Sequence, residues 1–458
     1  MIGFLYLLAT LAFLLNIDAP VGLSNTPSII LIIEYLGVLW IANLLVRNKL
    51  NAEKKEKSQF MAFFLLGLTV SFLFLYFVWT PNLPENSKDW GFDPQRYYQY
   101  ATTIANGDIV LAGLNYFGIV YFYGFIFKLL GIDPLIPLFI NCLLTLTAVI
   151  VVSNHFSKVG GLPKYFSLLL LIPELWYFNT MSSREIVCMF LATISIIQGY
   201  QVVVKERRGF RIIWPLACLV LLIIIRPPMG GGVFVSIMAF MLFNKKKGGN
   251  RILNFIYITG LVLVIVLGLS LTNKLGGDGG TTSSDLSEIV VGRISGDNSE
   301  SSEFQYGSNS IAARLIPHNT LEFVVFGIIR SFAYLIIPPA VFFSPLEAFS
   351  INRPTTDCFA NLTVIFMMAF IPIVFSKCFK KNKTNERLKI VCLSFLFLFF
   401  IIGMFNTNMI HQRYRVVYIL LYFSIVAYHY SMKKNDLGQN SDISSNPVPH
   451  IIQKSSTK

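Results

Sequence analysis

The chain has 458 residues, of which 54% are hydrophobic, 14% aromatic and only 13% charged, with a formal net charge of +13. That is more apolar surface than a water-soluble domain needs. Its repeated apolar runs of about 18–20 residues match a bilayer core of roughly 30 Å. The runs are continuous rather than alternating, which excludes a transmembrane β-barrel. The lysines and arginines sit mostly in short connectors between runs, where they face anionic lipid, so the positive charge is not a signal for nucleic acid. Six cysteines, Cys142, Cys188, Cys218, Cys358, Cys378 and Cys392, are scattered without CxxC or Cys/His spacing, and support neither a disulfide framework nor a zinc site.

In chain order, residues 2–17 read as a first, short span, because the run lacks the basic start and the cleavage site of a signal peptide. Residues 29–46 read as a second span, ending in RNKLNAEKKEK on the cytoplasmic side, and 60–79 as a third that leads outward. An external loop, 80–108, follows. Within it Asp93-Pro94 is a helix start: the carboxylate accepts orphan N–H groups and Pro has none to leave unpaired. Tyr97, Tyr100, Ala101 and Ile104 recur at helical spacing, and Gly107 ends the helix. This pattern predicts an amphipathic helix on the membrane surface, with tyrosines at headgroup level.

Residues 109–130 are apolar but broken by Gly113, Gly118 and Gly124. Spans are expected at 134–153, 165–180, 186–204, 212–225, 230–243 and 252–271, with basic connectors KERRGFR and NKKKGGNR between them. A long polar loop, 272–319, separates these from an apolar stretch at 321–343 that carries Arg330 and Pro338-Pro339. Residues 358–375, 389–405 and 416–430 read as the last spans, and 433–458 as a disordered cytoplasmic tail. Placing every basic connector in the cytoplasm requires that 109–130 and 321–343 do not each cross once. The fold expected is an all-α, polytopic transmembrane helical bundle of about 12 spans, with both termini inside and interfacial helices in the external loops.

This topology gathers Asp93, Arg96, Arg184, Glu185, Arg226, Arg330, His411, Arg413 and Arg415 on the external face. Charges within apolar stretches usually face a cavity and pair there, and several arginines with two carboxylates suit an anion such as phosphate. Each has a plainer structural reading. Asp93 is a helix cap, Arg184-Glu185 a local ion pair, Arg226 the end of a span, His411 a solvated loop residue, and Arg413 and Arg415 external anchors.

The segment FDPQRYYQYATTIANG resembles the first large external loop of the GT-C class of polyprenyl-phosphate-sugar glycosyltransferases. PELWYFNTMSSREIVCMF resembles the Pro-helix, polar turn and acidic residue of that class and of Wzy-type O-antigen or capsule polymerases. LLIIIRPP and HQRYRVVYILL resemble the arginine-bearing segments of such bacterial enzymes. Two departures, a single acidic residue followed by Pro and the absence of a large C-terminal soluble domain, favour a smaller bacterial glycan transferase or polymerase.

The resemblance implies a GT-C-like enzyme of the bacterial plasma membrane. Its partners are a polyprenyl-phosphate-linked sugar donor, a glycan or lipid acceptor and membrane lipid. Asp93, with Glu185 second, is the expected catalytic base, and the external arginines hold phosphate. It is compatible with a divalent metal near Asp93, although one carboxylate does not define a metal site. The alternatives are a Wzy-type polymerase joining lipid-linked repeat units and a polysaccharide flippase. The flippase would need charges at the bilayer midplane and an internal repeat, neither of which stands out.

Overall fold

The computed structural model describes residues 1–17, 26–76, 93–109, 114–205, 213–243, 319–336, 354–379, 385–405 and 415–444. Among them every regular element is helical. Seven helices among the described residues are long and apolar enough to cross a membrane: Ser28–Lys49, Lys54–Phe74, Leu135–Ser157, Arg184–Val202, Leu362–Phe379, Glu386–Met404 and Val416–Lys434. Four more, Ile2–Ile17, Gly118–Leu130, Ile213–Ile225 and Pro227–Met241, are apolar but shorter. The expected span at 252–271, the polar loop up to residue 318, Pro338-Pro339, His411 and Arg413 lie outside the described residues.

The first three helices are α1 (Ile2–Ile17), α2 (Ser28–Leu44) and α3 (Lys54–Phe74). Asn16 near the end of α1 donates to Phe72 O near the end of α3 (2.7 Å), so these two run parallel. Tyr35 of α2 stacks on Phe13 at 4.2 Å, and Phe72 and Phe139 close the cluster. Helix α3 starts from a capping box between Glu53 and Glu56, which satisfies two orphan amides at once.

Helices α4 (Asp93–Ala105) and α5 (Leu114–Leu130) pack against each other. Helix α4 opens at the Asp-Pro pair and ends at Gly107, whose φ of 101° suits a residue without Cβ. It is amphipathic, but its apolar side meets protein. Tyr97 and Ala101 are fully buried, Tyr98 meets Phe127 at 5.1 Å, and a Cβ on Gly124 would come within 2.8 Å of Ile104. Helix α5 therefore covers the apolar face of the amphipathic helix expected from the sequence. One part of α5, Gly118, lies against Ile225, and Gly131, just past its far end, lies against Thr26.

Helix α6 (Leu135–Ser157) is followed by a broken segment: α7 (Pro163–Phe166), a 3-10 turn at Ser167–Leu171, and α8 (Pro173–Asn179). A single continuous span at 165–180 was the sequence expectation. Pro173 overturns it, because it has no N–H to donate and forces Ile172 into extended geometry (φ −67°, ψ 116°). Helix α9 (Arg184–Lys205) then leads to a tight hairpin of α10 (Ile213–Ile225) and α11 (Pro227–Phe243), in which a Cβ on Gly230 would lie 2.8 Å from Ile223 Cα.

The C-terminal part comprises α12 (Thr320–Ile336), α13 (Pro354–Phe379), α14 (Glu386–Phe405) and α15 (Val416–Ser444). Helices α12 and α14 approach backbone to backbone through Gly327 and Gly403, a small-residue contact of the kind membrane helices use. Helix α15 runs through Ser444, past the expected start of a disordered tail at 433. No proline interrupts it before Pro447, and adding residues to an existing helix is far easier than nucleating one.

The two ends of the bundle differ. At one, Asn154 donates to Lys49 O, Gln59 donates to Lys164 O, and Arg387 and His155 exchange side-chain-to-carbonyl bonds. The starts of α1 and α3 lie here, as does Tyr428 of α15 against Phe156. The opposite end holds α4, α5, the 180–184 turn and the apex of the α10–α11 hairpin.

Candidate functional site

At that opposite end three segments converge. Arg226 joins α10 to α11. Its N–H bonds back to Leu222 O, while its own carbonyl accepts from Met229 and Gly230. Pro227 and Pro228 supply no N–H, which makes this residue the bend of the hairpin and aims its side chain inward. Its Nη1 reaches Glu185 Oε1 at 3.3 Å, and Arg184 Nε lies 4.0 Å from the same oxygen. Glu185 is 1% exposed and Arg226 6% exposed, so this is a buried cluster and not a surface pair. Glu185 lies in the first turn of α9, where the helix dipole also favours a carboxylate. The Arg184 guanidinium stands 6.0 Å from the centre of the Tyr97 ring, which places α4 beside the cluster.

The turn before α9 is held from below by a buried polar network. Asn141 of α6 donates to the carbonyls of Asn179 and Met181, and accepts from Tyr123 Oη at 2.9 Å. Thr145 donates to Asn179 Oδ1 (2.9 Å), and Tyr123 also reaches Ser183 O (3.2 Å). With these partners the irregular 179–183 backbone can stay buried. Tyr98 on α4 keeps its proton: burial first, and then the nearby Asp133 charge, raise its pKa above the ordinary phenol range.

A second ion pair is built on the break at Pro173. Glu174, in the first turn of α8, accepts from Arg415 Nε at 2.8 Å, and both side chains are 1% exposed. The Glu174 N–H donates to Thr363 Oγ1 of α13. Leu170 O and the Trp176 ring lie against Gly67, well inside α3, so the break falls inside the bundle.

The residues expected from the sequence therefore separate into groups. Arg184, Glu185 and Arg226 come together. Arg415 is engaged by Glu174, a residue the sequence reading passed over. Arg330 is fully buried and donates to Gly403 O (2.8 Å) and Met404 O (3.1 Å), the last carbonyls of α14, so its place is a helix terminus rather than the shared cluster. Arg96 is exposed on α4. Asp93 opens α4 one turn before Tyr97, its side chain lying outside the described residues, as do His411 and Arg413. Among the described residues no three His, Cys, Asp or Glu side chains gather to hold a metal, so these residues do not assemble the donor set that a divalent ion would need.

Glu174 had a legible signal: a Pro-Glu pair inside an apolar run is a helix start placed where a continuous span should be. Asn141, Thr145 and Asn179 were also visible as polar residues within or beside apolar runs, which in membrane helices face the bundle interior. No protein family, curated protein or solved structure matches this chain.

Proposed function

We propose that the protein is an integral-membrane glycosyltransferase of GT-C-like architecture. It moves a sugar from a polyprenyl-phosphate-linked donor to a glycan or lipid acceptor at the external face of a bacterial plasma membrane. The observation that carries the reading is the convergence of Arg184, Glu185 and Arg226, beside Tyr97 of α4, at the end of the bundle opposite the lysine-rich connectors. Charge bias puts those connectors in the cytoplasm, which leaves the cluster outside, with about 12 crossings and both termini cytoplasmic.

In this reading Arg184 and Arg226 bind the donor phosphate and stabilise the negative charge that develops as the glycosidic bond breaks. Glu185 meets both guanidiniums, at 4.0 and 3.3 Å, so its part is to orient the arginines. Asp93, one turn from Tyr97, is the residue that deprotonates the acceptor hydroxyl.

The test is transfer by purified protein in liposomes supplied with a polyprenyl-phosphate hexose and an acceptor. Wild type transfers sugar, whereas Asp93→Asn and Arg226→Ala insert normally and do not. Full activity in both variants removes the site as drawn, and a ladder of product lengths from a lipid-linked repeat unit reassigns it to a polymerase. One observation favours translocation instead: the buried Glu174–Arg415 pair at a broken helix, a device that transporters use. Movement of the lipid-linked sugar across the liposome without chemical change, retained in Asp93→Asn, would replace the transferase reading.

A further inference from the structure

The end of the bundle that carries the lysine-rich connectors holds charges for which sugar transfer has no use. Helix α7 enters the bundle there, and Gln59 of α3 donates to Lys164 O at 3.2 Å. Lys55 lies one turn before Gln59, on the same face of α3. Helix α15 also packs on α7. The Lys434 amine of α15 lies within hydrogen-bonding reach of the Lys164 amine, and the Lys55 charge acts on Lys164 as well. Three lysines from three separate elements therefore converge.

Like charges drawn together repel, so the arrangement is unfavourable unless an anion joins them. The carboxylate that acts on Lys164 is Glu56. It is already held in the capping box of α3, where it accepts from the Glu53 N–H at 3.2 Å. One carboxylate does not balance three ammoniums. Desolvation first, and then the Lys434 amine, lower the pKa of Lys164 from its ordinary value, as expected for an amine crowded by its own kind.

The neighbours say which anion fits. Leu168, four residues beyond Lys164 and deeper in the bundle, is 48% exposed. Tyr430, one turn before Lys434 on the same face of α15, is 37% exposed. Because α7 enters the bundle and α15 leaves it, both side chains lie on the bilayer side of the lysines. The Lys164 amine stands 5.5 Å from the centre of the Tyr165 ring, an aromatic placed where the bundle meets the headgroups. Ammonium groups set above exposed apolar side chains suit a phosphodiester headgroup that carries its own acyl chains.

We infer that Lys55, Lys164 and Lys434 form a headgroup site for an anionic phospholipid of the cytoplasmic leaflet, the side on which charge bias puts the lysine-rich connectors. The phosphate bridges the ammoniums, and the acyl chains lie along Leu168 and Tyr430. The site shares its topology with the transferase reading and none of its chemistry, so its test reads lipid binding and not sugar transfer.

The experiment follows the melting temperature of the purified full-length protein in neutral micelles during titration with phosphatidylglycerol. Phosphatidylcholine and inorganic phosphate are the comparators. Phosphatidylglycerol is expected to raise the melting temperature of wild type, and phosphatidylcholine is not. Lys55→Gln, at an exposed position, is expected to raise the titration midpoint about fivefold, and Lys164→Gln/Lys434→Gln about twentyfold. Without lipid, the double variant is expected to melt at or above wild type, because a like-charge contact is gone. Lys49→Gln/Lys389→Gln removes as much charge from exposed positions at the same end and is expected to keep the wild-type midpoint. An unchanged midpoint in Lys55→Gln overturns the site, and so does an equal shift in Lys49→Gln/Lys389→Gln, which would mean diffuse attraction of lipid to a basic end. A full rise with inorganic phosphate alone overturns the lipid assignment.

Discussion

Arg415→Met offers a clean energetic test of the bundle, because the ion pair it breaks is buried. The guanidinium Nε lies 2.8 Å from Glu174 Oε2, with both side chains 1% exposed. Removing one partner of such a pair leaves a charge without compensation in a medium that solvates it poorly, a loss of about 3–5 kcal/mol. Removing both charges is different, since a neutral, well-packed replacement of a buried ion pair is often as stable as the original. Arg415→Met should therefore lower unfolding stability by that amount. Glu174→Gln/Arg415→Met should recover much of it, with a coupling energy of about 1–3 kcal/mol. Denaturant titrations in mixed micelles, followed by circular dichroism on wild type, both singles and the double, provide the cycle. Additive losses would refute the reasoning, because they would mean that Glu174 and Arg415 do not sense each other.

Further outcomes follow from individual contacts. Gly403→Ala should force α12 from α14, since a Cβ there would lie 2.6 Å from Gly327 O. A stability loss of at least about 1–3 kcal/mol is expected in the same titration. Arg330→Met should lower the melting temperature, by about 1.5–3 kcal/mol of lost charged hydrogen bonding, yet leave sugar transfer per folded molecule near wild type. Arg387→Met should loosen α14 from α6 by releasing His155 O, read as faster proteolysis near residues 385–389.

The helices were largely legible because long apolar runs and Pro, Gly and acidic punctuation dictate them locally. The first helix has the expected bounds of 2–17, α4 starts at Asp93-Pro94, and Arg226 marks the bend between α10 and α11. What was not legible depends on partners distant in sequence. The amphipathic face of α4 reads in sequence as well for a membrane surface as for another helix, and its packing on α5, with Gly124 against Ile104, depends on a residue twenty positions away. An arginine in an apolar stretch signals that something pairs with it, without saying what. Arg330 found two backbone carbonyls, Arg415 a carboxylate 241 residues away, and Arg226 a carboxylate 41 residues away. Of the residues grouped from sequence, the trio at 184, 185 and 226 shares one place.

Everything proposed here depends on the arginine cluster lying on the opposite side of the membrane from the lysine-rich connectors. Arg96→Cys and Lys55→Cys, both exposed positions at opposite ends of the bundle, can be labelled in intact cells with a membrane-impermeant thiol reagent, above the background of the native cysteines. The account predicts that position 96 reacts from outside at once and position 55 only after the cells are permeabilised. Labelling of both positions from the same side would contradict it.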